Sequence, residues 1–163
     1  MYQIGEKIVH PMHGAGIIED IVQEDFNGLQ MQFYVFRMPV SGLTLKIPTH
    51  NCDLIGIREI STKKTMDGIL KKVPQLSVEV TTNWNHRYRE NMERLKSGDL
   101  LEVASVIKML MQRDSERGLS TGERKMLHSA KQIMVSEIVL VKDIAYECAE
   151  KELNTLMLAG AEK

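Results

Sequence analysis

From Tyr2 to about Ile60, apolar and polar residues alternate over short stretches separated by turn residues, a period-two pattern that predicts a small all-β module without helix. Lys7–Val9 reads as a first strand, and His10-Pro11 with Gly14 and Gly16 as a turn before a second strand, Ile17–Val22. Asp25-Phe26-Asn27-Gly28 is the clearest hairpin signal, because Asn-Gly tolerates the positive φ angles of a two-residue turn. Leu29–Met38 returns as a third strand. After a turn at Pro39–Gly42, Leu43–Pro48 alternates so that Leu43, Leu45 and Ile47 point one way and Thr44 and Lys46 the other. A last short strand, Leu54–Ile57, makes five, the count of a small SH3-like or Tudor-like barrel with an open edge.

Beyond the polar tract Ser61-Thr62-Lys63-Lys64 the period changes from two to 3.6, which puts a domain boundary there. Met66–Val73 predicts a short helix ended before Pro74, and a loop from Gln75 to Thr82 leads to a helix that Asn83 caps and Gly98 stops. Asp99 with Glu102, and Ser120 with Glu123, each read as a capping box that opens a further helix. Gly118 ends the first of these, and a last helix spans about Asp143–Leu158.

The capped helix after Asn83 carries the chain's single tryptophan, Trp84, in its first turn. Positions 84, 88, 92 and 95 follow the spacing of one helix face, so spacing favours Trp84 in the core with Tyr88, Met92 and Leu95. The neighbourhood also has the composition of a nucleic-acid contact. Asn83 and Asn85 flank the ring, and Arg87, Arg89, Arg94 and Lys96 outnumber Glu90 and Glu93, as an apolar wedge needs cations to hold phosphate. Spacing does not separate the two.

The net charge of −1 is unevenly spread: residues 1–60 carry −3, 61–81 carry +2, 82–131 carry +3 and 132–163 carry −3. Such a modest central excess implies weak DNA binding without a tether. No basic segment followed by an apolar run opens the chain, and no stretch reaches a membrane span, so a cytoplasmic protein is expected. Cys52 and Cys148 are expected reduced and buried, in different modules. His10 and His13 lack further ligands at zinc-like spacing, Cys52 near His50 lacks an orienting third group, and Gly14 and Gly16, read as turn glycines, lack the lysine of a phosphate loop. No metal or cofactor is assigned, and the enzyme class is left without residues.

Four segments carry a resemblance: IGEKIVHPMHG (4–14), LTLKIP (43–48), TNWNHRYRENMERLKSGD (82–99) and RDSERGLSTGERKML (113–127). With them the chain is similar over essentially its whole length to the CarD/CdnL family of bacterial transcription regulators. That resemblance implies an α+β multidomain protein, with a five-stranded Tudor-like RNA polymerase interaction domain at 1–60 and an all-α DNA-contacting domain at 61–163. It further implies a monomer whose barrel docks on the polymerase β subunit through Lys46, flanked by Leu45 and Ile47. The helical domain would contact the promoter minor groove at the upstream edge of the bubble, with Trp84 as a wedge stabilising the open complex. Arg89 and Arg124 fall at the family's basic DNA contacts, with Arg87 and Lys125 beside them. Lys46 stands where arginine is common, and His86 where a basic residue is. The alternative is an SH3-like protein- or RNA-interaction module with Trp84 in the core.

Overall fold

Asn27 and Gly28 both adopt positive φ, 54° and 83°, the backbone that closes a two-residue turn between twisted strands. In the computed structural model, which describes residues 1–78 and 83–159, this turn joins the two longest strands of an antiparallel sheet. Strand β1 is Lys7–His10, β2 Gly14–Phe26, β3 Leu29–Met38, β4 Leu43–Pro48 and β5 Arg58–Glu59, in the spatial order β4-β3-β2-β1-β5. Strand β2 is longer at both ends than its alternation indicates. Its start pairs with β1 (His10 opposite Gly14), its polar end follows the hairpin to Phe26, and a bulge lies between Ile18 and Asp20. Gly16 is therefore a strand residue and not a turn glycine, whereas Gly14 keeps the positive φ of a turn (99°).

Three expectations for residues 1–60 are corrected, the first being that they hold no helix, since Thr49–Asn51 forms a 3-10 turn and Cys52–Ile55 an α-helical one. Leu54–Ile57 is not the fifth strand: Cys52–Ile55 forms one helical turn, α1, closed by Gly56 at φ 93°, whose N–H donates to the Cys52 carbonyl at 3.0 Å. Leu54 faces solvent at 87% exposure, so the apolar pair that mimicked a strand is split between inside and outside. The sheet is also open and not a closed barrel. Strand β4 pairs only with β3, and the two-residue β5 only with β1. Its apolar cluster includes Ile8, Ile18, Tyr34, Phe36, Met38 and Ile47.

Among the described residues five α-helices follow: α2 Lys63–Lys72, α3 Trp84–Lys96, α4 Leu100–Arg117, α5 Thr121–Lys142 and α6 Tyr146–Ala159. The expected caps form locally. Asn83 Oδ1 accepts from His86 N (3.1 Å), Asp99 Oδ1 from Leu101 N (2.8 Å), and Ser120 Oγ from Glu123 N (3.2 Å). Residues 79–82 of the expected Gln75–Thr82 loop lie outside the described residues. Asp143 ends α5 in the left-handed conformation and does not open α6. The helices enclose their own apolar cluster, with Met66, Leu95, Ile107, Leu110, Met134 and Leu153 at its centre. No helix among the described residues is long and apolar enough to cross a membrane. Cys52 is buried, but Cys148 is exposed, against expectation, on the solvent side of α6.

Helix α5 also packs on the start of β2. Ser136 Oγ accepts the Ala15 N–H at 2.9 Å, and a Cβ on Gly14 would lie 2.4 Å from that oxygen and 3.1 Å from the Ile133 Cα. Any larger residue at position 14 would push helix and strand apart.

Candidate functional site

The N-termini of α3 and α5 meet, and the caps that start the two helices bring their side chains together. Ser120 caps α5 and also accepts the Trp84 indole N–H at 3.1 Å. The indole stacks on Tyr88, with ring centroids 5.0 Å apart and planes 19° from parallel. A Cβ on Gly122 would lie 3.6 Å from both rings, so the aromatic pair rests on α5 at its first turn. Trp84 is nonetheless 42% exposed. The spacing argument that placed it in the core fails because the buried face of α3 is Arg87, Asn91 and Leu95, rotated from the expected stripe. Tyr88 and Met92 are half-buried at its border.

The cause of that rotation is an ion pair 36 residues apart in sequence. Arg87, only 1% exposed, donates from Nε to Glu123 Oε2 (2.9 Å) and from Nη2 to Glu123 Oε1 (3.2 Å). Arg113 Nε approaches the same carboxylate at 3.7 Å. Burial pushes the Glu123 carboxyl up, but the Arg87 bonds and charge, aided by Arg113, more than offset this and hold it below the usual range. Arg87 is thus corrected from an outward DNA contact to an internal cation, since a guanidinium held two-pronged inside the bundle presents nothing to phosphate. Glu123 is only half of the expected capping box. Its N–H bonds Ser120, while its carboxylate serves Arg87. The Arg113…Ser120…Glu123 spacing inside RDSERGLSTGE was the available signal for this network, read only as a cap.

Arg89 is exposed on α3, and Arg124 and Lys125 are exposed on the first turns of α5. Among the described residues none of these three makes an ion pair, whereas Arg94 is engaged by Glu90 and Glu102, and His86 lies 3.6 Å from Glu90. The helices α3 and α5 that meet at Trp84 therefore carry a half-exposed aromatic pair together with exposed cations that make no ion pair among the described residues. Together they can seat an anionic polymer beside a flat apolar group.

Strand β4 lies at one edge of the sheet, so its outer N–H and C=O groups face away from other strands. Lys46 projects outward and pairs with Glu24 of β2 across β3. Ile47 points into the sheet core and Leu45, partly buried, packs against it, so of these two expected polymerase contacts Ile47 is corrected to a core position and Leu45 to its border. The exposed side chains of β4 are Leu43, Thr44 and Lys46, of which Thr44 and Lys46 share the outer face.

The remaining candidates serve the backbone. His10 Nδ1 accepts from Met12 N (3.0 Å), and burial, then His13, push its pKa down to about 4, leaving a neutral ring in the turn. Burial pushes the Cys52 thiol up, the opposite of what a thiolate nucleophile requires. Among the described residues no three His, Cys, Asp or Glu side chains gather as metal ligands.

Residues 2–61 match the family model described as the CarD-like/TRCF RID domain, and residues 69–154 the model of the CarD C-terminal domain. The chain is 36% identical over 155 residues to the Bacillus subtilis (strain 168) protein named "Putative transcription factor YdeB", an alignment covering 95% of this chain and 99% of that protein. With two domain models met in order and a relative aligned over nearly its full length, the chain belongs to the CarD family of transcription regulators.

Proposed function

We propose that this regulator docks on the RNA polymerase β subunit and holds open the promoter bubble at its upstream edge. We divide it near residue 61 into a docking module and a module that contacts DNA. The observation that carries the proposal is the half-exposed Trp84, pinned on Ser120 at the start of the helix whose first turns carry the exposed cations Arg124 and Lys125, with Arg89 exposed further along α3. Inserting an apolar ring into a base step costs a few kcal/mol and is easiest where the duplex is already unstacked. A melting promoter offers such a step in the minor groove. The match of residues 2–61 to the model shared with TRCF RID domains supports a polymerase partner for the sheet, and the free edge of β4 supports that strand as the docking element. Tethering there raises the local concentration to the millimolar range, so three cations suffice on a promoter and bind little elsewhere.

Trp84→Ala tests the wedge. The fold should lose about 1–3 kcal/mol, the worth of one hydrogen bond and one aromatic stack, and polymerase binding should be retained. Loss of about 1–3 kcal/mol of base–aromatic stacking should make the open complex decay roughly tenfold faster after a competitor challenge. An unchanged decay with an intact fold would end the wedge proposal. Lys46→Glu tests the docking strand separately. Facing Glu24, it places two carboxylates together on the outer face and should abolish polymerase capture without unfolding the sheet. Capture at the wild-type level would move the docking surface elsewhere.

A further inference from the structure

We infer that Glu137 is a positioning residue: it locks the sheet onto α5 and thereby sets where Trp84 stands relative to β4. The inference rests on the docking and wedge roles proposed above. The Glu137 carboxylate is completely buried at the junction of the two apolar clusters, 0% exposed. It takes the Arg58 guanidinium as a fork, Nη2 to Oε1 at 2.6 Å and Nη1 to Oε2 at 3.0 Å, and also accepts Ser61 N (3.1 Å) and Ser61 Oγ (2.6 Å). Both donors stand where the chain leaves β5 for the helices. Arg58 Nε donates in addition to the Gly98 carbonyl at 3.1 Å, in the turn between α3 and α4. One guanidinium therefore ties together β5, α5 and the far end of the helix that begins at Trp84.

The rest of the junction lies on the same face of α5. Ile133 closes on Gly14, Ser136 accepts from Ala15 N, and the Leu140 carbonyl accepts from Lys7 Nζ at 3.3 Å, so positions 133, 136, 137 and 140 all meet the sheet. Apolar contact alone tolerates sliding because it has no direction. A two-pronged carboxylate–guanidinium pair does not, since both oxygens and both nitrogens must line up. The opposite end of α5 carries Ser120, Arg124 and Lys125. From Glu137 to Ser120 the helix runs about 25 Å, so a swing of about 10° at the junction would carry the Trp84 anchor about 4 Å. Helix α3 follows the same lock from both ends, through Arg87–Glu123 near its start and Gly98–Arg58 after its end.

The test uses the full chain with Glu137→Gln, which keeps the shape but turns an amide donor toward Arg58 and Ser61. Spin labels on Leu54→Cys and Ser129→Cys, both exposed positions, in a Cys148→Ser background report the distance between sheet and α5, Cys52 being buried. Glu137→Gln should broaden a narrow wild-type distance distribution. Open complexes should decay about fivefold faster or more, because misplacement and not loss of contact groups is the defect, while polymerase capture stays at the wild-type level. A purely structural role would leave the distance distribution narrow at a lower melting temperature, and that result overturns the inference. A broadened distribution with wild-type open-complex lifetime also overturns it. If Trp84→Ala leaves the lifetime unchanged, the wedge proposal fails by itself. The distance distribution then decides the lock alone, broadening supporting it and a narrow profile refuting it. Should Glu137→Gln not fold, Arg58→Met/Glu137→Leu removes both charges together and is read by the same two measurements.

Discussion

Glu123→Gln lowers the stability of the helical module by about 3 kcal/mol, because breaking a buried ion pair from one side leaves the partner charge out of water without its carboxylate. Arg87 is 1% exposed and bonds both Glu123 oxygens, while Arg113 Nε lies 3.7 Å from Oε1, so one carboxylate answers two cations inside the bundle. The glutamine amide can accept from one guanidinium N–H but sets its own N–H₂ against the other. Replacing both partners, Arg87→Met with Glu123→Leu, should cost less, since the fully buried charge is removed with its carboxylate and only the partly exposed Arg113 is left unanswered. Denaturant titration of the wild type and the two variants reads this ranking directly, and a double variant as unstable as Glu123→Gln would contradict it. The sign of the pH dependence follows from the direction of the shift. A carboxyl held low in the folded state contributes fully above its unfolded value, about 4.3, and progressively less as pH falls through the folded one. The stability gap between wild type and Glu123→Gln should therefore narrow below about pH 4. A gap constant down to pH 2 would mean that Glu123 does not carry the charge assigned to it.

Gly16→Ala should destabilise the sheet by about 3 kcal/mol, the upper part of the range for overpacking a tight interior. A Cβ there would stand 2.4 and 2.7 Å from the Phe36 ring and 2.5 Å from the Arg37 carbonyl. The ring could turn, but the carbonyl belongs to the neighbouring strand of the ladder and cannot give way without breaking the pairing of β2 with β3. Gly68, within α2, is the control. Nothing lies within 4 Å of its added Cβ, so Gly68→Ala should stabilise by about 0.4–1 kcal/mol through the unfolded chain. Thermal unfolding of the pair should move in opposite directions. A Gly16→Ala protein that melts with the wild type would show that β2 and β3 stand further apart than these distances imply.

What was legible in the sequence was what is decided within a few residues. Asn27-Gly28 announces its hairpin because positive φ is a property of those two residues, and Asn83, Asp99 and Ser120 announce helix starts because a cap bonds two or three positions on. What was misread depends on partners far along the chain. The face that α3 buries is set by Glu123, 36 residues from Arg87, and without that partner an arginine in the core and a tryptophan outside it look improbable. Ile47 points inward because β3 and the residues under it form a core, which alternation indicated, but its side chain is then unavailable to a partner. Leu54 and Ile55 resemble a strand until Gly56 is seen to close a helical turn. Trp84, Arg89, Arg124 and Lys125 were singled out by motif resemblance, and spacing alone would have placed the ring in the core.

The bond between Trp84 and Ser120 has a further consequence for anything that meets the indole. A tryptophan standing free at a surface samples several rotamers, and freezing such a side chain on binding costs about 0.5–1.5 kcal/mol. Here the side-chain torsions are set when the bundle folds, by Ser120 on the nitrogen and Tyr88 on one ring face, so that entropy is lost before any partner arrives. The single donor of the ring is also occupied. A partner finds only an apolar edge and the open face, neither of which distinguishes one hydrogen-bond pattern from another. Any preference shown at this position must therefore come from how readily the partner parts to admit a flat, rigid group.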